Sequence, residues 1–336
     1  MKEAYLWSPK DGAALCHLCA HRCRIEDGDR GLCAVRENRN GTLYSMVYGK
    51  LISRAIDPIE KKPLYHFLPG TTTYSIATAG CNFFCDFCQN WQISQMTHRD
   101  GTIVGEDAAP EEIAEDAERR GCQSVAYTYT EPTIFFEFAY DTAVIAKGMG
   151  LKNIFVTNGY QTPETIDKMN GVIDAANVDL KAFRDDFYKE RCGARLAPVL
   201  KAIQLMYDKG IFLEITTLIV PGENDDMQEL RDLAGFIASI STDIPWHVSR
   251  FHPQYKQAHK QFTPSDTIFK ALEAGKQAGL KYLYAGNLPA GRYENTYCPN
   301  CGKPVIERSG FYSRCVGLEG SKCVHCGGQL NIVAGG

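Results

Sequence analysis

Apolar runs alternate with segments of helical periodicity from residue 71 to about residue 290. The first run, residues 71–80, is rich in β-branched and aromatic residues, which is typical of a strand. A helix is predicted at 110–120, where Pro begins it and Gly follows it, and another at 196–207, whose apolar residues share one face. Further strands are predicted at 124–130, 153–156, 175–178, 212–220 and 246–252. Six strand–helix units in series predict an α/β fold, a parallel sheet curled as an open (β/α)6 partial TIM barrel.

Polar motifs follow the predicted strands at their C-terminal ends. The carboxyl ends of parallel strands meet at one edge of a sheet, and α/β proteins place their active sites there. The sequence therefore predicts one site built from several strand ends. The residues concerned are Glu131, Thr157, Asn158, Asp179, Lys181, Arg250 and His252.

Three regions are predicted along the chain. Residues 1–70 form an N-terminal cysteine-rich metal-binding segment and linker, in which Asn40-Gly41 signals a turn and Asp57-Pro58 interrupts any helix. Residues 71–290 form the partial barrel. Residues 291–336 form a C-terminal tail that resembles a zinc ribbon or rubredoxin knuckle.

Composition narrows the function classes. Of 336 residues, 44% are hydrophobic and 23% are charged, which is ordinary for a globular protein. The net charge of −4 gives no reason to expect nucleic-acid binding. No stretch approaches the ~20 apolar residues of a membrane span, and the N-terminus lacks an apolar run of signal-peptide length. We therefore expect a cytoplasmic protein with no membrane partner.

The 14 cysteines fall mostly into short-spaced groups, which indicates metal binding in a reducing compartment rather than disulfides. Four thiolates suit either zinc or a [4Fe–4S] cluster, and the spacing of the N-terminal group leaves both open. Two C-x2-C-G knuckles in the tail predict a zinc-ribbon or rubredoxin-like site. The N-terminal group is Cys16, Cys19, Cys23 and Cys33; the tail group is Cys298, Cys301, Cys323 and Cys326.

The central group, Cys81, Cys85 and Cys88, is spaced C-x3-C-x2-C on a loop after the first strand. Three thiolates can hold three irons of a [4Fe–4S] cluster and leave the fourth iron open. An open position is typical of a catalytic metal site. The alternative is a zinc knuckle that takes a fourth ligand such as His98.

This C-x3-C-x2-C loop resembles that of the radical S-adenosylmethionine (SAM) superfamily. The ending Cys-Gln-Asn-Trp at 88–91 resembles the branch with glycyl-radical-enzyme activases, such as pyruvate formate-lyase activating enzymes. The resemblance implies that SAM chelates the open iron and that its reductive cleavage gives a 5′-deoxyadenosyl radical. That radical abstracts hydrogen from a substrate that the sequence does not name. An electron donor such as flavodoxin or ferredoxin is implied.

The resemblance also implies roles for strand-end residues. Glu131 stands where the family has the acid of its Gly-Gly-Glu motif, which accepts hydrogen bonds from the methionyl ammonium of SAM. Lys181 is the candidate partner for the SAM carboxylate, and His252 matches a histidine beside the ribose and adenine. Thr157 and Asn158 match the Thr-Asn-Gly turn of the activases, and Asp179 with Lys181 matches their Asp-Leu-Lys.

Three departures from the activase pattern stand out. Tyr129 and Thr130 replace the two glycines, Val156 replaces an acid, and Thr216 stands where an arginine is expected. A carboxylate without a cation is costly in a partly desolvated site. We therefore hypothesise that Arg250, with Lys181, replaces the missing arginine; the alternative is that Arg250 pairs with Glu214.

From residue 16 to residue 326 the motifs resemble the radical SAM enzyme of the AmmeMemoRadiSam system, including Tyr-Thr-Glu-Pro at 129–132 and Ala-Gly-Asn-Leu-Pro at 285–289. The resemblance implies Memo-like and AMMECR-like proteins as partners. Two alternatives stay open: a glycyl-radical-enzyme activase, and a non-catalytic metalloprotein that binds a protein or nucleic acid.

Overall fold

Two small antiparallel sheets carry the N-terminal cysteine group. The computed structural model describes residues 1–335. One sheet has the order β1-β6-β5 and the other β2-β3-β4, and the four cysteines line one cavity. The strands are β1 (Lys2–Glu3), β2 (Trp7–Lys10), β3 (Ala13–Cys16), β4 (Arg24–Ile25), β5 (Arg36–Arg39) and β6 (Thr42–Ser45).

One large sheet organises the rest of the chain. Its order is β15-β14-β13-β12-β11-β10-β8-β7-β9. The strands from β8 to β15 in this order are parallel, β7 pairs antiparallel with β8, and β9 pairs antiparallel with β7 at the edge. Its strands are β7 (Lys50–Pro58), β8 (Thr72–Thr78), β9 (Glu106–Asp107), β10 (Ser124–Tyr127), β11 (Lys152–Thr157), β12 (Ala175–Asp179), β13 (Phe212–Ile219), β14 (Trp246–Arg250) and β15 (Leu283–Gly286).

The mostly parallel α/β sheet confirms the coarse fold prediction. The six predicted strands are present, and β15 adds a further parallel strand beside β14 that the sequence pattern did not indicate. Only four residues long, β15 gives too little pattern to be recognised. Curling of the sheet into a partial barrel stays a prediction.

Helices connect the parallel strands and bury one face against the sheet. The predicted helix at 110–120 is observed at Pro110–Arg119, with Pro110 in its first turn and Ile113, Ala114 and Ala117 buried. Within residues 1–335, none of the helices is long and apolar enough to cross a membrane. The helices are α1 (Trp91–Ser94), α2 (Met96–Asp100), α3 (Pro110–Arg119), α4 (Phe136–Gly148), α5 (Pro163–Met169), α6 (Asp185–Phe187), α7 (Leu196–Asp208), α8 (Met227–Ile240) and α9 (Ser265–Gln277), with short 3-10 or π turns at 59–61, 132–135, 188–192, 255–257 and 291–293.

The tail forms short hairpins that pack against the linker before the large sheet. Leu68 N–H donates to Val333 O at 2.7 Å, and Val333 N–H donates to His66 O at 2.8 Å. Arg308 Nη2 donates to Tyr65 O at 2.6 Å. The predicted boundaries at 70 and 290 stay predictions, although β7, within the predicted linker, pairs with the large sheet. The tail strands are β16 (Thr296–Tyr297), β17 (Pro304–Ser309), β18 (Tyr312–Cys315), β19 (Leu318–Glu319) and β20 (Lys322–Cys323).

A buried ion pair joins the N-terminal segment to α4. Arg36 Nη1 and Nη2 lie 2.9 and 3.0 Å from the two carboxylate oxygens of Glu137, and both side chains are almost fully buried. Replacing Glu137 by glutamine leaves a buried cation without its counter-charge. We expect this variant to lose about 3–5 kcal/mol of unfolding free energy in a urea titration.

The matched control is Glu112→Gln. Glu112 pairs with Arg54 at 2.7 Å, but its side chain is 48% exposed. An exposed pair of this kind contributes at most about 1 kcal/mol. If the two variants lost the same free energy of unfolding, Arg36–Glu137 would not be the stronger ion pair.

Candidate active site

The three cysteines of the central loop line one cavity at the carboxyl ends of the parallel strands. Its volume is 390 Å³, within the range of about 300–1,000 Å³ that is usual for small-molecule sites. The structure thus brings together most of the residues predicted from sequence. The predicted residues on its wall are Cys81, Cys85, Cys88, Thr157, Asn158, Asp179 and Lys181.

Hydrogen bonds fix the backbone of the central loop. His98 Nε2–H donates to Cys81 O at 2.9 Å, and His21 Nε2–H donates to Asn82 O at 2.8 Å. Gly80 opens the loop with φ of +103°, and a Cβ there would lie 2.9 Å from Val35. His98 therefore orients the loop backbone, which does not favour the alternative of His98 as a zinc ligand.

The three thiols differ electrostatically. A hydrogen bond from the Cys192 thiol and the nearby Lys181 ammonium lower the pKa of Cys85, although burial opposes them. Burial raises the pKa of Cys81 and of Cys88. Cys192, which stands outside the three cysteine groups, thus lies beside Cys85, because the Tyr188–Cys192 turn is held to the loop by the Phe84 N–H, which donates to Cys192 O at 2.9 Å.

Lys181 supplies a cation to the cavity. Its Nζ lies 3.0 Å from Asp179 Oδ2, and its side chain is mostly buried. Burial opposes the charge, but Asp179 and the thiols of Cys85 and Cys192 outweigh it and raise the pKa of Lys181 well above its usual value. An anionic group in the cavity would therefore meet a protonated lysine.

Unpaired polar atoms on the wall fit a polar ligand. Thr216 Oγ1 and Gln89 Oε1 are buried, line the cavity and have no hydrogen-bond partner among residues 1–335. Such atoms are rare in folded proteins unless a ligand or water satisfies them. Three thiolates, a lysine and these acceptors suit an iron–sulfur cluster with a bound amino acid derivative.

Glu131 does not line this cavity. It is fully buried, and its carboxylate accepts hydrogen bonds from Thr157 Oγ1 at 2.7 Å, Asn158 N at 2.8 Å and Thr133 N at 3.0 Å. Burial raises the pKa of Glu131, although these donors oppose the shift. In this arrangement Glu131 holds the Thr157–Asn158 turn in position, and a direct contact with SAM stays a prediction.

Tyr129, in place of a family glycine, adopts a left-handed backbone with φ of +65°. This conformation is unfavourable for a residue with a bulky side chain and marks local strain, which collects at functional sites. The Tyr129 hydroxyl donates to Asp57, a buried carboxylate that also pairs with Lys62 at 2.6 Å. Burial lowers the pKa of Lys62 to about 8 despite this pairing. Sequence reasoning missed Asp57 and Lys62 because Asp57-Pro58 is also an ordinary turn signal.

The expectation for Arg250 is corrected by strand alternation. Ser249 lines the cavity, so its neighbour Arg250 points to the opposite face of β14. Arg250 Nε donates to Thr263 O at 2.8 Å, and the guanidinium lies 5.2 Å from the Phe262 ring centre. Pairing with Glu214 is also wrong, because the Glu214 carboxylate lies 2.7 Å from His247 Nε2.

His252 lies beyond the end of β14 and is exposed. Its Nε2 is 3.1 Å from Gln254 Oε1, and Gln254 Nε2 donates to Gln89 O at 2.9 Å. This chain of contacts keeps His252 beside the central loop, although it is not among the residues of 1–335 that line the cavity. Its contact with the SAM ribose stays a prediction.

A second cavity of 690 Å³ opens beside the first. The two share Lys61, Pro63, Ser249 and Asn287 on their walls. The tip of the β17–β18 hairpin, residues 309–311, also lines the second cavity. A substrate in the second cavity would therefore lie next to a molecule in the first.

The two terminal cysteine groups have different geometries. In the tail, all four sulfurs lie within 4.8 Å of one another, with Cys298–Cys326 at 3.6 Å and Cys301–Cys323 at 3.7 Å. Gly302 and Gly327 follow the second cysteine of each knuckle with positive φ, as the C-x2-C-G pattern requires. The N-terminal cysteines line one cavity with His21 and Arg36, but among residues 1–335 they do not form such a close set.

Comparison with known proteins gives a family. The model described as the Radical SAM superfamily matches residues 75–234. An uncharacterized protein of Methanocaldococcus jannaschii is 45% identical over 337 residues, covering 99% of this chain and all of that protein. The pyruvate formate-lyase-activating enzyme of Listeria monocytogenes is 24% identical over 48% of this chain and 67% of its own.

Among solved structures, a radical SAM methyltransferase from Sphaerobacter thermophilus matches with a TM-score of 0.51 and 15% identity, covering 71% of each chain. At this identity the likeness concerns the fold alone.

Proposed function

Because the chain belongs to the radical SAM superfamily, we propose that it cleaves SAM reductively at the central loop and that the radical formed abstracts hydrogen from a substrate in the second cavity. The observation that carries the proposal is the shared cavity of Cys81, Cys85, Cys88 and Lys181. The non-catalytic alternative required strand ends without space for SAM, and a 390 Å³ cavity at these ends does not favour it.

In this proposal the three cysteines bind the cluster and Lys181 orients SAM. When bound, a [4Fe–4S] cluster with SAM supplies an electron that breaks a sulfur–carbon bond and leaves a 5′-deoxyadenosyl radical. Cys81, Cys85 and Cys88 would hold the cluster on a loop whose backbone is fixed by His98 and His21. Lys181 would pair with the carboxylate of bound SAM. Its charge is maintained by Asp179.

Asn158 lines the cavity proposed for SAM and also contacts the central loop. Its Nδ2 donates to Asn82 Oδ1 at 2.7 Å and lies 4.0 Å from Cys81 Sγ. Glu131 holds the Asn158 backbone from the opposite side. A change of Asn158 would therefore disturb both the loop and the bound SAM.

The experiment is anaerobic reconstitution with iron and sulfide, followed by SAM and dithionite. We expect 5′-deoxyadenosine and methionine in equal amounts, measured by liquid chromatography. A reconstituted protein with a full cluster that binds SAM but yields no 5′-deoxyadenosine would reject the proposal.

Lys181→Gln is expected to weaken SAM binding by about tenfold or more, because one charge-assisted hydrogen bond to a carboxylate is worth about 1.5–3 kcal/mol. Equilibrium dialysis with labelled SAM measures the dissociation constant. The control is Lys189→Gln, whose side chain is 55% exposed and pairs with Asp185 on the surface. Unchanged affinity in Lys181→Gln would remove Lys181 from the site.

A glycyl-radical-enzyme activase is a second candidate, favoured by the similarity to pyruvate formate-lyase and benzylsuccinate synthase activating enzymes. Incubation with SAM, dithionite and a glycyl-radical enzyme would give a glycine-centred doublet in the electron paramagnetic resonance (EPR) spectrum. Its absence with every such enzyme of the same cell would reject this candidate. Memo-like and AMMECR-like proteins then remain the partners to test.

For the tail we propose zinc. A Zn–S bond of about 2.3 Å places tetrahedral sulfurs ~3.8 Å apart, close to the observed spacing of Cys298–Cys326 and Cys301–Cys323. Metal analysis of the purified protein distinguishes zinc from a rubredoxin-like iron, which would give a visible spectrum of its own.

A further inference from the structure

The N-terminal cysteine group points to a second iron–sulfur cluster rather than to zinc. We infer that Cys16, Cys19, Cys23 and Cys33 hold a [4Fe–4S] cluster through which one electron reaches the central loop. The identity of this cluster stands on its own geometry. Its relay role rests on the proposed function.

The spacing of the sulfurs carries the choice of metal. In the tail, four sulfurs lie within 4.8 Å of one another, as four ligands of one ion must. The N-terminal four line a common cavity, yet no three of them meet that limit among residues 1–335. The three cysteines of the central loop, which take a four-iron cluster in this superfamily, fail the same limit. The cysteine sulfurs that bind a [4Fe–4S] cluster lie farther from one another than the sulfurs that bind a single ion, because each binds a different iron.

The wall of this N-terminal cavity fits an anionic cluster. Arg36 is 2% exposed and lines the cavity, and its Nε has no hydrogen-bond partner among residues 1–335. Its two Nη atoms bind the Glu137 carboxylate, whereas Cys16 and Cys33 line the same cavity as the guanidinium. A buried N–H without a partner is costly, and a sulfide or thiolate of a cluster would accept from it.

Apart from His21 and Thr133, the rest of the wall is apolar. Leu18, Ile25 and Ile134 are buried, while Cys19 and Cys23 are only partly buried. The group therefore reaches from the surface toward the interior. This position suits a cluster that receives electrons from outside.

A short bonded route joins the two cysteine groups. His21 follows Cys19 by two residues, and its ring donates from Nε2 to Asn82 O at 2.8 Å. Asn82 is the residue after Cys81. The segment from Cys19 to His21 and one hydrogen bond thus connect a ligand of one cluster to the backbone beside a ligand of the other.

The electron balance is simple. A reduced one-electron donor protein of the ferredoxin or flavodoxin class is oxidised by one electron, and the N-terminal cluster is reduced from the 2+ to the 1+ state. It then passes the electron to the central cluster and returns to 2+. No covalent bond changes in the relay.

The first test is composition. Anaerobically reconstituted protein should contain about eight irons and eight sulfides per chain, and Cys23→Ser and Cys33→Ser should contain about four. Cys122→Ser, a buried cysteine outside the three groups, should keep about eight. About four irons with two zincs in the unaltered chain, or undiminished iron in both serine variants, would overturn the inference.

The second test separates relay from chemistry. SAM cleavage is measured with dithionite, which is small enough to reach either cluster, and with a reduced ferredoxin. We expect the ratio of ferredoxin-driven to dithionite-driven rates to fall about tenfold or more in Cys23→Ser, and several-fold in His21→Phe with its iron content unchanged. The control is His17→Phe, because His17 Nε2 lies 2.8 Å from Ser8 Oγ and does not contact the central loop in the unaltered chain. This variant should have the same ratio of ferredoxin-driven to dithionite-driven rates as the unaltered chain. An unchanged ratio in Cys23→Ser would reject the relay.

Failure of the proposed function gives a different result. In that case dithionite yields no 5′-deoxyadenosine from the unaltered chain, while the iron count still reports on the second cluster. The EPR spectrum of the reduced protein provides an independent readout, because two reduced clusters give two signals and Cys33→Ser should lose one of them.

Discussion

Cys85→Ala is expected to abolish SAM cleavage and to remove the central cluster. Cys85 is one of the three cysteines that we propose as cluster ligands in this loop, and Cys192 and Lys181 lower the pKa of its thiol. Loss of one of three ligands leaves a second iron unprotected, so the cluster should be lost together with its absorption at ~400 nm. Anaerobic absorption spectra, iron analysis and assay of 5′-deoxyadenosine measure the result.

The matched controls are two other buried cysteines. Cys122 lies outside the three metal-binding groups, and Cys122→Ser should retain full activity. Cys192→Ser keeps a hydrogen-bond donor beside Cys85 and should retain the cluster. If Cys85→Ala produced 5′-deoxyadenosine at the rate of the unaltered chain, the assignment of the central loop would be wrong.

Cys298→Ser is expected to release the tail metal and to unfold the tail. A structural zinc site in a small peptide contributes about 10–16 kcal/mol of folding free energy, so loss of one ligand should cost several kcal/mol locally. The short strands of this region bury few apolar side chains of their own. Metal analysis, limited proteolysis and hydrogen exchange of residues 296–332 would report the change.

Cys315→Ser is the control for the tail, since Cys315 is exposed in the same region but lies outside the four-sulfur group. It should retain the metal and resist proteolysis. SAM cleavage without substrate should persist in Cys298→Ser, because the tail lines the second cavity and not the first. A redox-active iron in the tail, with electron transfer lost in Cys298→Ser, would contradict the zinc proposal.

Local pattern predicted much of the fold. Strand Lys152–Thr157 is an apolar run with polar ends, and strand Phe212–Ile219 is rich in β-branched residues. Helix Pro110–Arg119 has a proline start and one buried face. Each of these signals lies within a few neighbouring residues. The strand Leu283–Gly286 was missed because it is short, and the pairing of β7 with the large sheet was missed because it depends on a partner distant in sequence.

For the site, the sequence indicated the strand ends but not the direction of each side chain. Thr157, Asn158, Asp179 and Lys181 line the cavity as their position after parallel strands suggests. Arg250 does not, because alternation along β14 depends on register, and a shift of one residue reverses the face.

The sequence by itself determined how the cysteines are grouped, with three in one loop and four near each end, and it placed polar residues at successive strand ends. Cysteine spacing is local, so it can be read without a fold. Only the tertiary structure decided which atoms have partners and how far apart the sulfurs lie. It bound the Glu131 carboxylate to Thr157 and Arg250 to Thr263, brought Cys192 to Cys85, and brought His21 to the central loop. Those outcomes depend on packing between segments far apart in the chain, and no local pattern encodes such distances.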